Sequence, residues 1–134
     1  MSFTDKFRQQ HDEILGIVGE LNQKLKANAD AQELRGVLSN LAGKLNFHLA
    51  LEDKALYPRI MKKDAAASAM AAKFMEEMGG IGAVFVTYNN KWQVSAIRSD
   101  PSGFAAETRT VFLALGKRIA RENAELYPLA DSVA

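Results

Sequence analysis

Apolar residues recur along this chain at alternating three- and four-residue intervals, the period of one buried helix face. Four such lines run through the sequence. The first holds Phe7, His11, Ile14, Val18, Leu21 and Leu25, and the second Leu38, Leu41, Leu45, His48, Glu52 and Leu56. The third holds Phe74, Met78, Ile81, Phe85, Tyr88 and Trp92, and the fourth Val111, Leu115, Arg118, Glu122 and Leu126. Breaks fall at Asn28-Ala29-Asp30, at Lys63-Asp64 and at Ser99 to Gly103, where Asp30, Asp64 and Asp100 suit N-cap positions and Pro101 a first helical residue. The pattern predicts helices over about 4–27, 31–61, 65–97 and 101–129. A strand over Ile81–Tyr88, where β-branched and aromatic residues cluster, is set aside because helical periodicity continues on both sides. Short loops between long helices favour antiparallel neighbours. The expected fold is all-α, an up-down-up-down antiparallel four-helix bundle formed by one domain spanning 1–134.

Five members of these lines are polar. His11, His48, Glu52, Arg118 and Glu122 all occupy core-facing positions, where a polar group without a partner or ligand costs several kcal/mol. An internal repeat organises them. The segment from His48 through Glu52 to Leu56-Tyr57-Pro58 returns as Arg118 through Glu122 to Leu126-Tyr127-Pro128, and Phe7, His11 and Ile14 return as Phe74, Met78 and Ile81. Two helical hairpins related by a pseudo-twofold axis follow, with Glu52 matched to Glu122, His48 to Arg118 and His11 to Met78. One half keeps its imidazoles and the other has none.

Composition narrows the chemistry. With 48% hydrophobic and 25% charged residues the chain is globular rather than disordered. Seventeen basic residues balance sixteen acidic ones, so net charge offers no reason to expect nucleic acid or a membrane surface as partner. No cysteine is present, which excludes thiolate ligands, disulfides and a cysteine nucleophile, and only two histidines are available for imidazole chemistry. The amino-terminal residues lack the apolar stretch of a signal peptide, and a cytoplasmic location is expected.

Two helical hairpins, the first with an inward His11 and a His48-x-x-x-Glu52 pair before Leu-Tyr-Pro and the second with Met78, Arg118 and Glu122 at the matching positions, resemble the hemerythrin/HHE cation-binding domain family. The resemblance covers essentially the whole chain and is most specific at His48, Glu52 and Leu56-Tyr57-Pro58. It implies a metal centre in the bundle core, in the family a non-haem di-iron site. His11 and His48 resemble the histidine ligands of one iron, and Glu52 and Glu122 the two bridging carboxylates. Met78 and Arg118 stand where the second iron's histidines belong, and neither offers a usable ligand there. The expectation is therefore a degenerate centre that does not serve as an O₂ carrier. Either no metal is bound or a single iron or zinc is held by His11, His48, Glu52 and Glu122. The guanidinium of Arg118 could replace the lost cation by forking across the two carboxylates, with Met78 filling volume beside it.

Each of these residues also has a plain reading. His11 and His48 could be core histidines in a hydrogen-bonded network, and Arg118 a helix-flank arginine reaching solvent. Tyr57 and Tyr127 read as packing at the bundle end rather than as ligands. The Gly79-Gly80-x-Gly82 cluster reads as a close helix crossing or bend, not a phosphate loop, since no strand precedes it. The expected function is a regulatory or interaction module with a protein partner or a second copy of itself; the alternatives are a mononuclear metal-binding or sensing protein and a single-metal redox enzyme. The last has the least support, because no nucleophile or substrate pocket is visible, and no catalytic residue is assigned.

Overall fold

The computed structural model describes residues 2–132, with the side chains of Met78 and Gly79 outside the description. The elements in chain order are α1 (Asp5–Lys26), α2 (Ala31–Leu51), a π-helical turn (Glu52–Leu56), α3 (Tyr57–Met61), α4 (Ala65–Lys91), α5 (Val94–Ser99), α6 (Pro101–Arg121), a second π-helical turn (Glu122–Leu126) and α7 (Tyr127–Asp131). The expected all-α bundle is formed, and no strand occurs among the described residues. Ile81–Tyr88 lies inside α4.

The helix starts follow from the aspartates. Asp30 accepts from the backbone N–H of Glu33 at 2.9 Å, Asp64 from Ala67 at 2.7 Å and Asp100 from Gly103 at 2.9 Å, each satisfying a donor that has no intrahelical partner. Asn28 takes the left-handed conformation (φ 56°) that ends α1, one of the few non-glycine residues to do so at little cost. Antiparallel pairing shows in the cross-links. Lys24 reaches Glu33 and Lys44 reaches Glu13 between α1 and α2, while Tyr88 bonds Thr108 between α4 and α6. At the closing edge, Thr4 donates its N–H and hydroxyl to Asp131, tying the start of the chain to its end.

Two departures from the expected helices have local causes. The third predicted helix, α4, stops at Lys91 rather than running to 97, and Arg35 of α2 caps its end, donating to the carbonyls of Asn89 and Trp92 at 2.7 and 2.9 Å and to the Asn89 side chain at 2.9 Å. After the break, Ile97 of α5 is buried in the core. The second departure occurs twice. Pro58 and Pro128 have no N–H to continue the α-helical ladder, and their rings clash with the carbonyl four residues back. Each time the preceding turn widens, so that Tyr57 N–H bonds the carbonyl of Glu52 and Tyr127 N–H that of Glu122. The sequence repeat is thus a structural repeat down to its hydrogen-bond register. Gly80 and Gly82 do not mark a close crossing: a Cβ at Gly80 would meet nothing within 4 Å, and one at Gly82 only ordinary contact with Leu49 at 3.8 Å, while the side-chain position of Gly79 lies outside the description.

The interior falls into two apolar clusters. One gathers Ile14, Leu45, Phe85, Leu115 and Ile119 with their neighbours, the other Phe7, Leu56, Phe74, Leu126 and Tyr127. The five polar core residues stand between these clusters, on α1, α2, α6 and the two π turns. No helix among the described residues is long and apolar enough to cross a membrane.

Candidate metal centre

All five polar residues of the helix lines are buried, His11, His48, Glu52 and Glu122 at 1% exposure and Arg118 at 7%. Met78, the sixth position expected at this level, has its side chain outside the described residues. His11 comes from α1, His48 from the last turn of α2, and Glu52 and Glu122 from the first residue of each π turn.

His11, His48, Glu52 and Glu122 each offer one ligand atom to a common point, and these atoms all lie within 4.8 Å of one another. His11 Nε2 is 3.0 Å from His48 Nε2 and 2.9 Å from Glu122 Oε1, and His48 Nε2 is 3.3 Å from Glu52 Oε2 and 3.9 Å from Glu122 Oε1. In a tetrahedral site with bonds of about 2.1 Å, neighbouring ligand atoms are about 3.4 Å apart. Four of the separations, from 2.9 to 3.9 Å, bracket that spacing, while the widest pair, within 4.8 Å, would have to draw in around an ion.

The outer nitrogens of the two imidazoles explain why the inner ones converge. His48 Nδ1 is 2.7 Å from Gln10 Oε1, and His11 Nδ1 is 2.8 Å from Asn123 Oδ1. An amide oxygen only accepts, so each Nδ1 carries the proton and each Nε2 of a neutral ring points a lone pair inward. Two lone pairs 3.0 Å apart repel unless a cation lies between them, and that cation is a proton or a metal ion. Burial opposes charging His48, but its bonds to Glu122 and Glu52 outweigh this and lift it from 6.5 to about 9. Burial pushes Glu52 up, reinforced by the Glu122 charge, whereas Glu122 is held down because bonds to His11 and His48 overcome its own desolvation. The two carboxylates have become unlike, one favouring its proton and one its charge.

Three residues of the centre were not expected from the sequence. Gln10 and Asn123 are half-buried and lie off the apolar lines, so periodicity carries no signal for them. Tyr127 packs in the core as expected but also enters the centre: its hydroxyl donates to Glu52 Oε2 at 2.7 Å and lies 3.0 and 3.3 Å from the two histidine Nε2 atoms. On an α-helix, positions five apart point about 140° away from each other. The π turn removes that offset and puts Tyr127 on the face of Glu122. The Tyr-Pro pair was the available sign.

Arg118 also requires a correction. It is buried, not reaching solvent, but it does not fork across the carboxylates. Its Nη2 donates to the carbonyl of Phe74 at 3.0 Å, and no hydrogen bond or ion pair joins it to Glu52 or Glu122. It still feels the charge of Glu122 at a distance, and burial depresses its pKa. Its flank neighbour Arg121 is the residue that pairs directly with carboxylates, Glu77 and Glu125.

The whole-chain comparison agrees with this geometry. A family model described as the hemerythrin HHE cation-binding domain matches residues 2–130. No curated protein and no solved structure matches. With two π-turned hairpins carrying a buried His/Glu cluster, and with that match over nearly its full length, the chain belongs to the hemerythrin HHE cation-binding domain family.

Proposed function

We propose that this protein binds one divalent metal ion, iron or zinc, through His11 Nε2, His48 Nε2, Glu52 and Glu122, and serves as a mononuclear metal-binding or metal-sensing protein. The observation that carries the reading is the pair of imidazoles locked by Gln10 and Asn123 so that their bare nitrogens face each other 3.0 Å apart. Two neutral imidazoles would gain nothing from that arrangement, whereas a metal ion uses both lone pairs at once. Two imidazoles and two carboxylates suit tetrahedral zinc or an open non-haem iron site. A bound ion would supply Lewis acidity and, if iron, redox chemistry. The residues themselves fix its position, exclude water, and hold a proton on Tyr127 against Glu52. A second ion has no imidazole to hold it, since Met78 and Arg118 occupy the matching positions and Arg118 brings its own positive charge. For that reason we read the centre as degenerate and not as a di-iron O₂ carrier.

A second reading, a metal-free interaction or regulatory module, draws support from the same bonds. With His48 protonated, its Nε2–H faces the lone pair of His11 Nε2 at 3.0 Å, and Tyr127 donates to Glu52 at 2.7 Å. Calorimetric titration of the metal-free protein with zinc separates the two. The metal reading expects saturation at one ion per chain with a proton released at neutral pH. The absence of binding heat and of any stabilisation would leave the interaction module.

A further inference from the structure

A cavity of about 480 Å³ opens at the end of the bundle away from the metal centre, where the loop between α1 and α2 meets α5 and the start of α6. Along α1 its wall at Leu25 is about 20 Å from His11, at a rise of about 1.5 Å per residue. Local features open it. α4 ends at Lys91, and the chain returns through the six-residue α5, whose Ile97 enters the core. Around the gap this leaves, the residues are small: Ala29, Ala31, Pro101, Ser102 and Ala105. Leu34, Ile97 and Phe104, all buried, form the floor, and the Phe104 ring meets that of Trp92 at 5.3 Å. Close-packed interiors leave few such gaps, whereas small-molecule sites are mostly apolar clefts of about 300–1,000 Å³ with a few placed polar groups.

The charges at the mouth select the ligand's head group. Arg98 is the one cation lining the cavity, is exposed, and has no hydrogen bond or ion pair among the described residues. Asp30 is the one anion there, but its carboxylate is committed. Its Oδ1 accepts from Glu33 N–H at the start of α2, where the helix dipole offsets its charge. Asp100, two residues beyond Arg98, is committed in the same way to Gly103 at the start of α6. The guanidinium keeps its full set of donors, in a fork that matches a carboxylate. Asn28 and Ser102 add neutral polar groups at the same mouth.

We infer that this cavity binds a small amphipathic carboxylate, its hydrocarbon part over Leu34, Ile97 and Phe104 and its head on Arg98. The site is separate from the metal centre and stands whether or not that centre is loaded.

Octanoate, octanol and octylamine, which share a chain length and differ in head group, test this with metal-free and zinc-treated protein alike. The expected result is saturable octanoate binding in both, read by the fluorescence of Trp92, the only tryptophan in the chain. Amide shifts in ¹⁵N spectra should gather at Ala29, Ile97, Arg98 and Ala105, and octylamine should bind more weakly than octanoate. An ion pair facing solvent contributes modestly, so Arg98→Met should weaken octanoate about three- to fivefold and leave octanol unchanged. Ala105→Phe fills the cavity and should abolish binding of both. Absence of saturable octanoate binding would overturn the inference, as would octylamine binding as tightly as octanoate. So would octanoate affinity unchanged in Arg98→Met, a substitution of an exposed side chain that leaves the core intact, or shifts centred elsewhere, such as around the exposed Phe47.

Discussion

Removing the amide that orients His11 isolates the feature on which the metal reading rests. Asn123→Ala deletes the oxygen 2.8 Å from His11 Nδ1, and Gln10→Ala deletes its counterpart 2.7 Å from His48 Nδ1. Neither amide touches the ion, so each acts by fixing tautomer and ring orientation. Loss of such an outer partner lowers metal affinity about 10–100-fold, or about 1.4–2.8 kcal/mol. The cost to the metal-free fold should be smaller, about 0.5–1.5 kcal/mol for one hydrogen bond of a half-buried side chain. The backbone at 123 remains anchored, because Arg8 donates to its carbonyl rather than to its side chain. Zinc affinity measured by chelator competition, beside thermal melts of the metal-free variants, separates the two effects. Asn123→Asp supplies an internal control, since a carboxylate also accepts from Nδ1–H and should restore most of the affinity. Variants that bind zinc within twofold of the parent would refute the orientation argument. So would Asn123→Asp binding no better than Asn123→Ala.

Further expectations concern charge and helix ends. The folded His48 is raised to about 9 from 6.5, so its contribution to metal-free stability is fully present below 6.5 and is lost as pH rises through about 9. A metal ion competes with that proton, so zinc affinity should rise about tenfold per pH unit between 7 and 8.5, by calorimetry in matched buffers, while a pH-independent affinity would contradict the shared lone pairs. Arg118→Met should cost about 1.5–3 kcal/mol by denaturant melts, the size of a charged hydrogen bond such as that to Phe74. A loss of more than about 4 kcal/mol would instead indicate a broken buried ion pair. Arg35→Met removes the cap on α4 and should cost a similar 1.5–3 kcal/mol, with hydrogen exchange accelerated in α5 and around Trp92. Uniform acceleration across the bundle would count against a local capping role.

The parts of this molecule legible in its sequence are those set by α-helical period and by simple caps. The 3.6-residue repeat put His11, His48, Glu52, Arg118 and Glu122 in the core, and Asp30, Asp64 and Asp100 announced their helices. What escaped depended on departures from that period. A π turn moves every later side chain around the helix, so Tyr127 was legible as bundle-end packing while its hydroxyl's place in the centre was not. Arg118 was placed correctly by burial but not by partner. Line spacing gives the face of a helix, not the direction of a long flexible side chain, and the Phe74 carbonyl lay on a different helix. Gln10 and Asn123 sit on the shoulders of their helices, where polar residues are ordinary, and only the three-dimensional pairing with the histidines distinguishes them. The end of α4 at Lys91 was hidden for a related reason, since its cap is an arginine from α2 rather than a residue nearby in sequence.

The central claim is that one metal ion, and only one, replaces the proton shared by His11 and His48. Elemental analysis of protein expressed in iron- and zinc-supplemented medium, taken beside His48→Ala prepared identically, tests it most directly. The account predicts between about 0.8 and 1 metal ion per chain in the parent, and a loss of at least tenfold in His48→Ala. Two ions per chain would contradict it, as would metal retained in His48→Ala or a parent protein that comes out empty from both supplements.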